Sequence, residues 1–218
     1  MALAGCVTSE VDRKYGVKSS PRVIADGQPV PKGGGKYRVG DPYVVGGQVY
    51  TPREDSRYRA EGSASWYGAD FHGRRTANGE VYNMHSISGA HPTLPLPCYV
   101  RVTNLENRRS IVVRVNDRGP FHQGRLIDLS ARAAKMLGYY DKGVAQVRVE
   151  FVGLASLNGS DDAKLAESLQ TEETVSPVRV AASKSLGPPM AAPIQDLQVT
   201  AFAPVTSQSA ALAGRGLY

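Results

Sequence analysis

The chain has 218 residues, enough for one well-packed domain with long appended segments. Charged residues make up 21% and aromatic residues 7%, and no apolar run approaches the roughly 20 residues that cross a bilayer as a helix, which excludes a helical membrane span. The formal charge of +6 favours anionic partners in general without choosing among wall polymers, nucleic acids and lipid headgroups.

At the start, Leu3-Ala4-Gly5-Cys6 resembles the lipobox of bacterial lipoproteins, in which small residues precede a cysteine that becomes diacylated. The polar stretch TSEVDRKYGVKSSP follows it, as a lipoprotein tether would. The basic and apolar leader segments are expected upstream of this start or already removed. Lipidation of Cys6 leaves Cys98, the other cysteine, without a disulfide partner, and LPLPCYVRV reads it as a small buried thiol at a strand start. Residues 1–35 are therefore expected to be lipobox and flexible spacer. Residues 36–59 place Tyr43, Val45, Val49 and Tyr50 around Gly46-Gly47, which predicts a hairpin or an extended arm lying on the domain.

The dense core runs over residues 60–153. Its period is mostly two: residues 99–103 alternate, residues 104–109 turn, and Ile111, Val113 and Val115 alternate again, which predicts a hairpin. Further strands are expected at 64–67 and 147–151. One helix is marked by Ser130 as N-cap, ARAAKML as body and Gly138 at C′. Short strands with one short helix predict an all-β domain closed into a small barrel, which removes sheet edges. From residue 154 the composition turns to Ala, Ser, Pro, Gln and Val, and residues 154–218 are expected to be a disordered tail.

Two stretches stand apart from this pattern: EGSASWYGADFHGRRTANGE at 61–80 and VNDRGPFHQGRLIDLS at 115–130. A sheet has no structural need of such a mix of carboxylates, glycines, aromatics and bases. It suits a loop-built polar groove that can hold a sugar and protonate it. Glycosidic cleavage needs a proton donor for the leaving oxygen and a stabiliser for an oxocarbenium-like transition state, and the loop motifs offer Glu80, Asp117 and Asp128. Trp66 and Tyr67 read equally as a sugar-stacking platform or as core. Arg74, Arg75 and Arg118 are candidates for anion contacts, the first two equally for a solvated basic face; His72 is a candidate groove residue, while His85 and His122 read as surface. Metal and cofactor sites are unsupported: CxxC, HxxxH and HExxH do not occur, and the histidines are scattered over 72, 85, 91 and 122. Gly33-Gly34-Gly35-Lys36 lacks the preceding strand and the following Ser/Thr of a phosphate loop, and no nucleic-acid-binding module is recognisable.

At SWYG (65–68), FHGRRTANGE (71–80), AH (90–91), LP (94–95), VRVTNLEN (100–107), VVRVNDRGPF (112–121) and IDLSARAAKMLG (127–138), the chain resembles the rare lipoprotein A (RlpA) family of bacterial envelope proteins. The resemblance covers residues 62–153. It implies a six-stranded double-psi β-barrel related to expansins and barwin-like domains. It also implies an endolytic peptidoglycan lytic transglycosylase, cutting MurNAc-β-1,4-GlcNAc bonds of peptide-stripped glycan strands to leave 1,6-anhydroMurNAc ends, with no cofactor. The family's functional positions fall on Glu80, His91 and Asp117. One departure is that many members carry a C-terminal glycan-binding repeat domain, of which residues 154–218 show nothing. Val7, rather than Asp, after Cys6 implies by a family sorting rule an anchor in the outer membrane, on its periplasmic face.

The implied reaction needs less than a hydrolase does, because the muramic C6 hydroxyl attacks in place of water. One carboxyl can serve as acid and then as base if its surroundings raise its pKa. The expectation is Asp117 as acid/base, with Glu80 as the paired carboxylate that shifts its pKa or orients the sugar; the reverse assignment stays open. His91 is expected to hydrogen-bond one of the pair or a sugar hydroxyl. Asp128 resembles a carboxylate of the expansin groove, or serves backbone N–H groups near the helix N-cap. The rival reading is a non-catalytic, expansin-like wall-binding or wall-loosening protein, and a scaffold working through residues 36–59 or the tail is compatible with either.

Overall fold

The computed structural model describes residues 11–12, 17–18, 20–25 and 27–171; Cys6 and the chain beyond residue 171 lie outside the described residues. Two short strands, β1 (Val11–Asp12) and β2 (Val17–Lys18), pair with each other. The predicted hairpin follows as β3 (Tyr43–Val45) and β4 (Gln48–Tyr50). Gly46 and Gly47 both take positive φ, 57° and 79°, which a two-residue hairpin turn of this hand requires.

Six strands then close a barrel: β5 (Arg59–Tyr67), β6 (Ser88–Ala90), β7 (Cys98–Asn104), β8 (Ser110–Asp117), β9 (Arg125–Ser130) and β10 (Val144–Leu154). Their order around the wall is β10-β5-β9-β6-β8-β7. Pairings β5–β9 and β6–β8 are parallel and the rest antiparallel. Alternation fills the interior with Val100, Val102, Ile111, Val113, Val115, Ile127, Leu129, Val147 and Val149, all fully buried beside the free thiol of Cys98. Helix α1 (Ala131–Met136) begins where Ser130 Oγ accepts from the Ala133 N–H at 3.2 Å, and it stops at Gly138, φ 74°.

The structure corrects the expected boundaries at both ends. Residues 155–171 are not tail. Helix α2 (Asp162–Glu167) seats Leu165 in the core, and the Asp162 carboxylate accepts from Ser86 Oγ (2.9 Å) and the Ile87 N–H (2.7 Å). Beyond it, Gln170 and Ser110 exchange two backbone hydrogen bonds, covering an exposed stretch of β8. Residues 20–25 and 27–36 are likewise not a free spacer but a strap. The Val23 and Ile24 N–H groups donate to Gly73 O, Arg74 Nη1 donates to Ser20 O (2.7 Å), and the Lys36 N–H donates to Asn78 O (2.8 Å).

Gly89 in β6 has no room for a side chain: an added Cβ would lie 2.9 Å from both Asp128 O and Leu129 Cδ2. Gly89→Ala is expected to lower unfolding stability by about 1–3 kcal/mol through overpacking, read as a lower urea midpoint at unchanged m-value.

Candidate active site

Ala90 of β6 organises the site. It pairs with Asp128 of β9 on one side and Asp117 of β8 on the other, while Asp128 pairs onward with Ser65 of β5. Residues directly paired across strands project to the same face. Ser65, Asp128, Ala90 and Asp117 therefore form one row on the outer wall, with a methyl group between two carboxyls. At two strand spacings, the Asp117 and Asp128 backbones stand about 10 Å apart.

Simple alternation would not put Asp117 there. Ile111, Val113 and Val115 face inward, so the next odd residue should follow them into the core. A bulge intervenes: Gly89 pairs with Val115 and Ala90 with Asp117, leaving Asn116 as the extra residue. The slip turns Asp117 out onto the face of Asp128.

The two carboxyls share a direction of pKa shift. Asp117 Oδ1 accepts only two backbone N–H groups, from Ala77 (2.8 Å) and from its neighbour Arg118 (2.8 Å). Burial pushes its pKa up to about 6, against the pull of these amides and of the Arg118 charge. Asp128 Oδ1 accepts from Ser65 Oγ at 2.6 Å, and Oδ2 lies 3.3 Å from Arg125 Nη2. Burial raises its pKa as well, moderated by Ser65, Arg125 and His122. Asp128 does not cap α1; Ser130 does that.

Glu80 behaves in the opposite way. Its carboxylate takes Arg114 Nη2 on Oε1 (2.5 Å) and Arg114 Nε on Oε2 (3.1 Å), with the amides of Asn116 (2.8 Å) and Asn78 (3.1 Å) completing the shell. Burial alone would raise its pKa, but the hydrogen bonds from Arg114, Asn116 and Asn78 and the Arg114 charge outweigh it, so the pKa falls below the ordinary value. The expected role of Glu80 as the carboxylate that shifts Asp117 is thereby corrected: burial shifts Asp117, and Glu80 is spent on Arg114. What Glu80 does is hold the turn at 76–80, whose Ala77 N–H reaches Asp117.

His91 is also placed differently from expectation. It is 1% exposed, and its Nδ1 accepts the N–H groups of Thr93 (3.2 Å) and Leu94 (3.1 Å), so Nε2 carries the proton and donates to Tyr58 Oη at 2.8 Å. Burial, with the charge of Arg118, holds its pKa down to about 3. The ring stays neutral and pins the loop after β6, with no carboxylate among its hydrogen-bond partners. The Arg118 guanidinium donates to the carbonyls of His91 (3.2 Å), Leu94 (2.6 Å) and Val39 (2.6 Å).

The remaining candidates form the surroundings. Trp66 donates from Nε1 to Tyr140 O (3.0 Å) and stacks on the Tyr140 ring, which Lys135 covers, so it serves α1. Tyr67 stacks on Tyr82 at 4.1 Å, and the charges of both Asp117 and Asp128 bear on its buried phenol, which places it beside the row. His72 accepts the Met84 N–H and packs edge-on to His85. Arg74 and Arg75 donate to the carbonyls of Asp70 and Ser20, and of Gly79. The β3–β4 hairpin seats Tyr43 and Tyr50 against Phe121, beside the Asp117 loop. Sequence reasoning missed Ser65, Arg125, Tyr58, Arg114, Asn116 and Asn78. Only Arg114 carried a signal, a charge inside the apolar run VVRVN.

Residues 59–149 match the family described as lytic transglycolase, and the fold is a double-psi β-barrel. The chain is 56% identical over 128 residues to a Pseudomonas aeruginosa protein, and 52% identical over 109 residues to one from Neisseria meningitidis serogroup A, covering 58% and 50% of this chain. It is 41% identical to a Haemophilus influenzae protein over 171 residues, 76% of this chain. Each of the three is named endolytic peptidoglycan transglycosylase RlpA. Over its barrel the chain is therefore similar to these RlpA proteins. The chain spans 37%, 46% and 56% of the lengths of these relatives, in the order given.

Two measurements check the electrostatics. The Asp117 carboxyl carbon is expected to titrate near 6 by NMR. A raised acid pKa contributes stability that is fully present below the unfolded value and is lost as pH rises from about 4 to about 6, so Asp117→Asn is expected to stabilise the fold at pH 8 by on the order of 3 kcal/mol and to do little at pH 3. Glu80→Gln strands the buried Arg114 charge and is expected to cost about 3–5 kcal/mol in urea unfolding at pH 7.

Proposed function

We propose that the protein is an endolytic peptidoglycan lytic transglycosylase that cuts MurNAc-β-1,4-GlcNAc bonds and leaves 1,6-anhydroMurNAc ends. The observation that carries this reading is the outward-turned Asp117 carboxyl, held near pH 6 by burial and facing a second carboxyl across the Ala90 methyl. A carboxyl with that pKa is partly protonated near neutrality and can give a proton as readily as it takes one.

In this mechanism Asp117 protonates the glycosidic oxygen as the bond to the muramic C1 breaks. The muramic C6 hydroxyl then adds to C1, and its proton returns to the Asp117 carboxylate, which leaves the side chain as it began. Asp128, steadied by Ser65 and Arg125, supplies negative charge opposite the developing oxocarbenium ion. Glu80, His91 and Arg118 act as positioning residues that hold the turn and loops around Asp117. The names of the relatives support the reading, and so do the aromatic rings of Tyr43, Tyr50 and Phe121 gathered beside the Asp117 loop. We also propose a lipid on Cys6 that anchors the protein on the periplasmic face of the outer membrane, on the strength of the Leu3-Ala4-Gly5-Cys6 motif.

Digestion of purified, peptide-stripped glycan strands, read by mass spectrometry, tests the activity. Anhydro-ended fragments are expected from the parent, and Asp117→Asn is expected to form them at least about 100-fold more slowly. Ordinary reducing ends would make the protein a hydrolase; strand binding with no fragments would make it an expansin-like binder.

A further inference from the structure

A second bulge matches the one that turns Asp117 outward. In the parallel pairing of β5 with β9, Ser63 stands opposite Arg125 and Ala64 opposite Ile127, which leaves Leu126 as the extra residue. Simple alternation would send Arg125 and Asp128, three apart on one strand, to opposite faces. The bulge cancels that. Ser63 and Ser65 share a face of β5, so their partners Arg125 and Asp128 share it too. Gly62 makes way for the extra residue, since a Cβ added there would lie 3.0 Å from Leu126 Cβ.

The three side chains so gathered close a triangle. Arg125 Nη1 donates to Ser65 Oγ (2.9 Å), Ser65 Oγ donates to Asp128 Oδ1 (2.6 Å), and Arg125 Nη2 lies 3.3 Å from Asp128 Oδ2. The directions follow from the first bond. A guanidinium can only donate, so Ser65 Oγ accepts from Arg125 and turns its own hydrogen to Asp128. Both Asp128 oxygens then receive a donor, which suits a carboxylate and not a carboxylic acid. Asp117 differs. Its two donors, the Ala77 and Arg118 N–H groups, both meet Oδ1, and no donor among the described residues meets Oδ2. Oδ2 is the oxygen left to carry a proton.

The other groups around Asp128 do not reverse this order. His122, in the loop before β9, acts in the same direction as Arg125 when charged. Tyr67 on β5 and Tyr139 after α1 are buried phenols that stay neutral. Across the Ala90 methyl stands Asp117 itself, where a carboxylate at Asp128 disfavours a second negative charge.

We infer that Arg125 is a positioning residue that sets the order of the two carboxyls: with Ser65 it keeps Asp128 as the carboxylate and leaves the proton to Asp117 Oδ2. The inference rests on the glycan-cleaving reading for its use, and its test does not depend on cleavage. The carboxyl carbons of both aspartates are followed by NMR titration in the parent, Arg125→Gln, Arg125→Lys and Ser65→Ala proteins. In the parent, Asp128 is expected to titrate below Asp117. Arg125→Gln, which removes the charge, is expected to raise the Asp128 midpoint by at least about 1 pH unit. Arg125→Lys is expected to return it toward the parent. Ser65→Ala is expected to raise it by less, and it tests the same triangle if Arg125→Gln does not fold. In strand digestion the rate is expected to be bell-shaped in pH, with Asp128 on the acid limb and Asp117 on the basic one. Arg125→Gln is expected to move the acid limb up and leave the basic limb in place.

An Asp128 midpoint that stays put in both Arg125→Gln and Ser65→Ala, or that lies above Asp117 in the parent, overturns the inference whether or not strands are cut. The expected midpoints in a protein that cuts no strands uphold the order of the carboxyls and remove the cleavage reading.

Discussion

The buried bond between Glu80 and Arg114 is the contact on which the rest of the site depends. Arg114 is fully buried in the middle of β8, and a guanidinium cannot shed its charge there, so a carboxylate must come to it. Glu80 arrives from a loop more than thirty residues away and draws the turn at 76–80 down onto β8. The same carboxylate takes the amide of Asn116, the extra residue of the bulge that turns Asp117 outward. One ion pair thus ties together the turn that supplies an N–H to Asp117 and the strand irregularity that aims it. Buried pairs of this kind add little net stability over apolar packing; what this one fixes is a single arrangement.

Burial alone does not decide the behaviour of titratable groups, as three residues within this small region demonstrate. Glu80 and Asp117 are both carboxyls removed from water, yet their pKa values move apart because their donors differ. Glu80 has a cation bound through two nitrogens plus two side-chain amides; Asp117 has two backbone amides and a more distant charge. The first set outweighs desolvation and the second does not. His91, buried beside the Arg118 guanidinium, is held neutral. The outcome is a division of labour: one fixed charge, one neutral imidazole that braces a loop, and one carboxyl free to exchange a proton.

The strap and the segment after the barrel give the domain a covered outer wall where the sequence suggests free tails. Each is held mainly by backbone hydrogen bonds and a few side chains, such as Arg74 on Ser20 and Asp162 on Ile87. Such contacts leave little trace in composition. DDAKLAESLQ offers Leu165 to the core amid charged and polar residues, and it reads as solvent-exposed until β8 is seen to accept it.

What the sequence determined by itself is local. The β7–β8 hairpin follows from a period of two, α1 follows from its cap and C′ glycine, the β3–β4 turn follows from two adjacent glycines, and the motif order carried the resemblance and, with it, the barrel. The strands β6 and β9, and the parallel pairings that bring Ala90 between Asp117 and Asp128, are not legible, because they join segments that share no local pattern and only chain closure selects them. The sequence leaves Asp117 and Glu80 interchangeable as the acid and places His91 and Arg118 beside them as hydrogen-bonding and anion-contact candidates. Only the tertiary structure separates them, since the proton affinity of a buried group is set by the partners that the fold brings to it, and those partners come from distant parts of the chain.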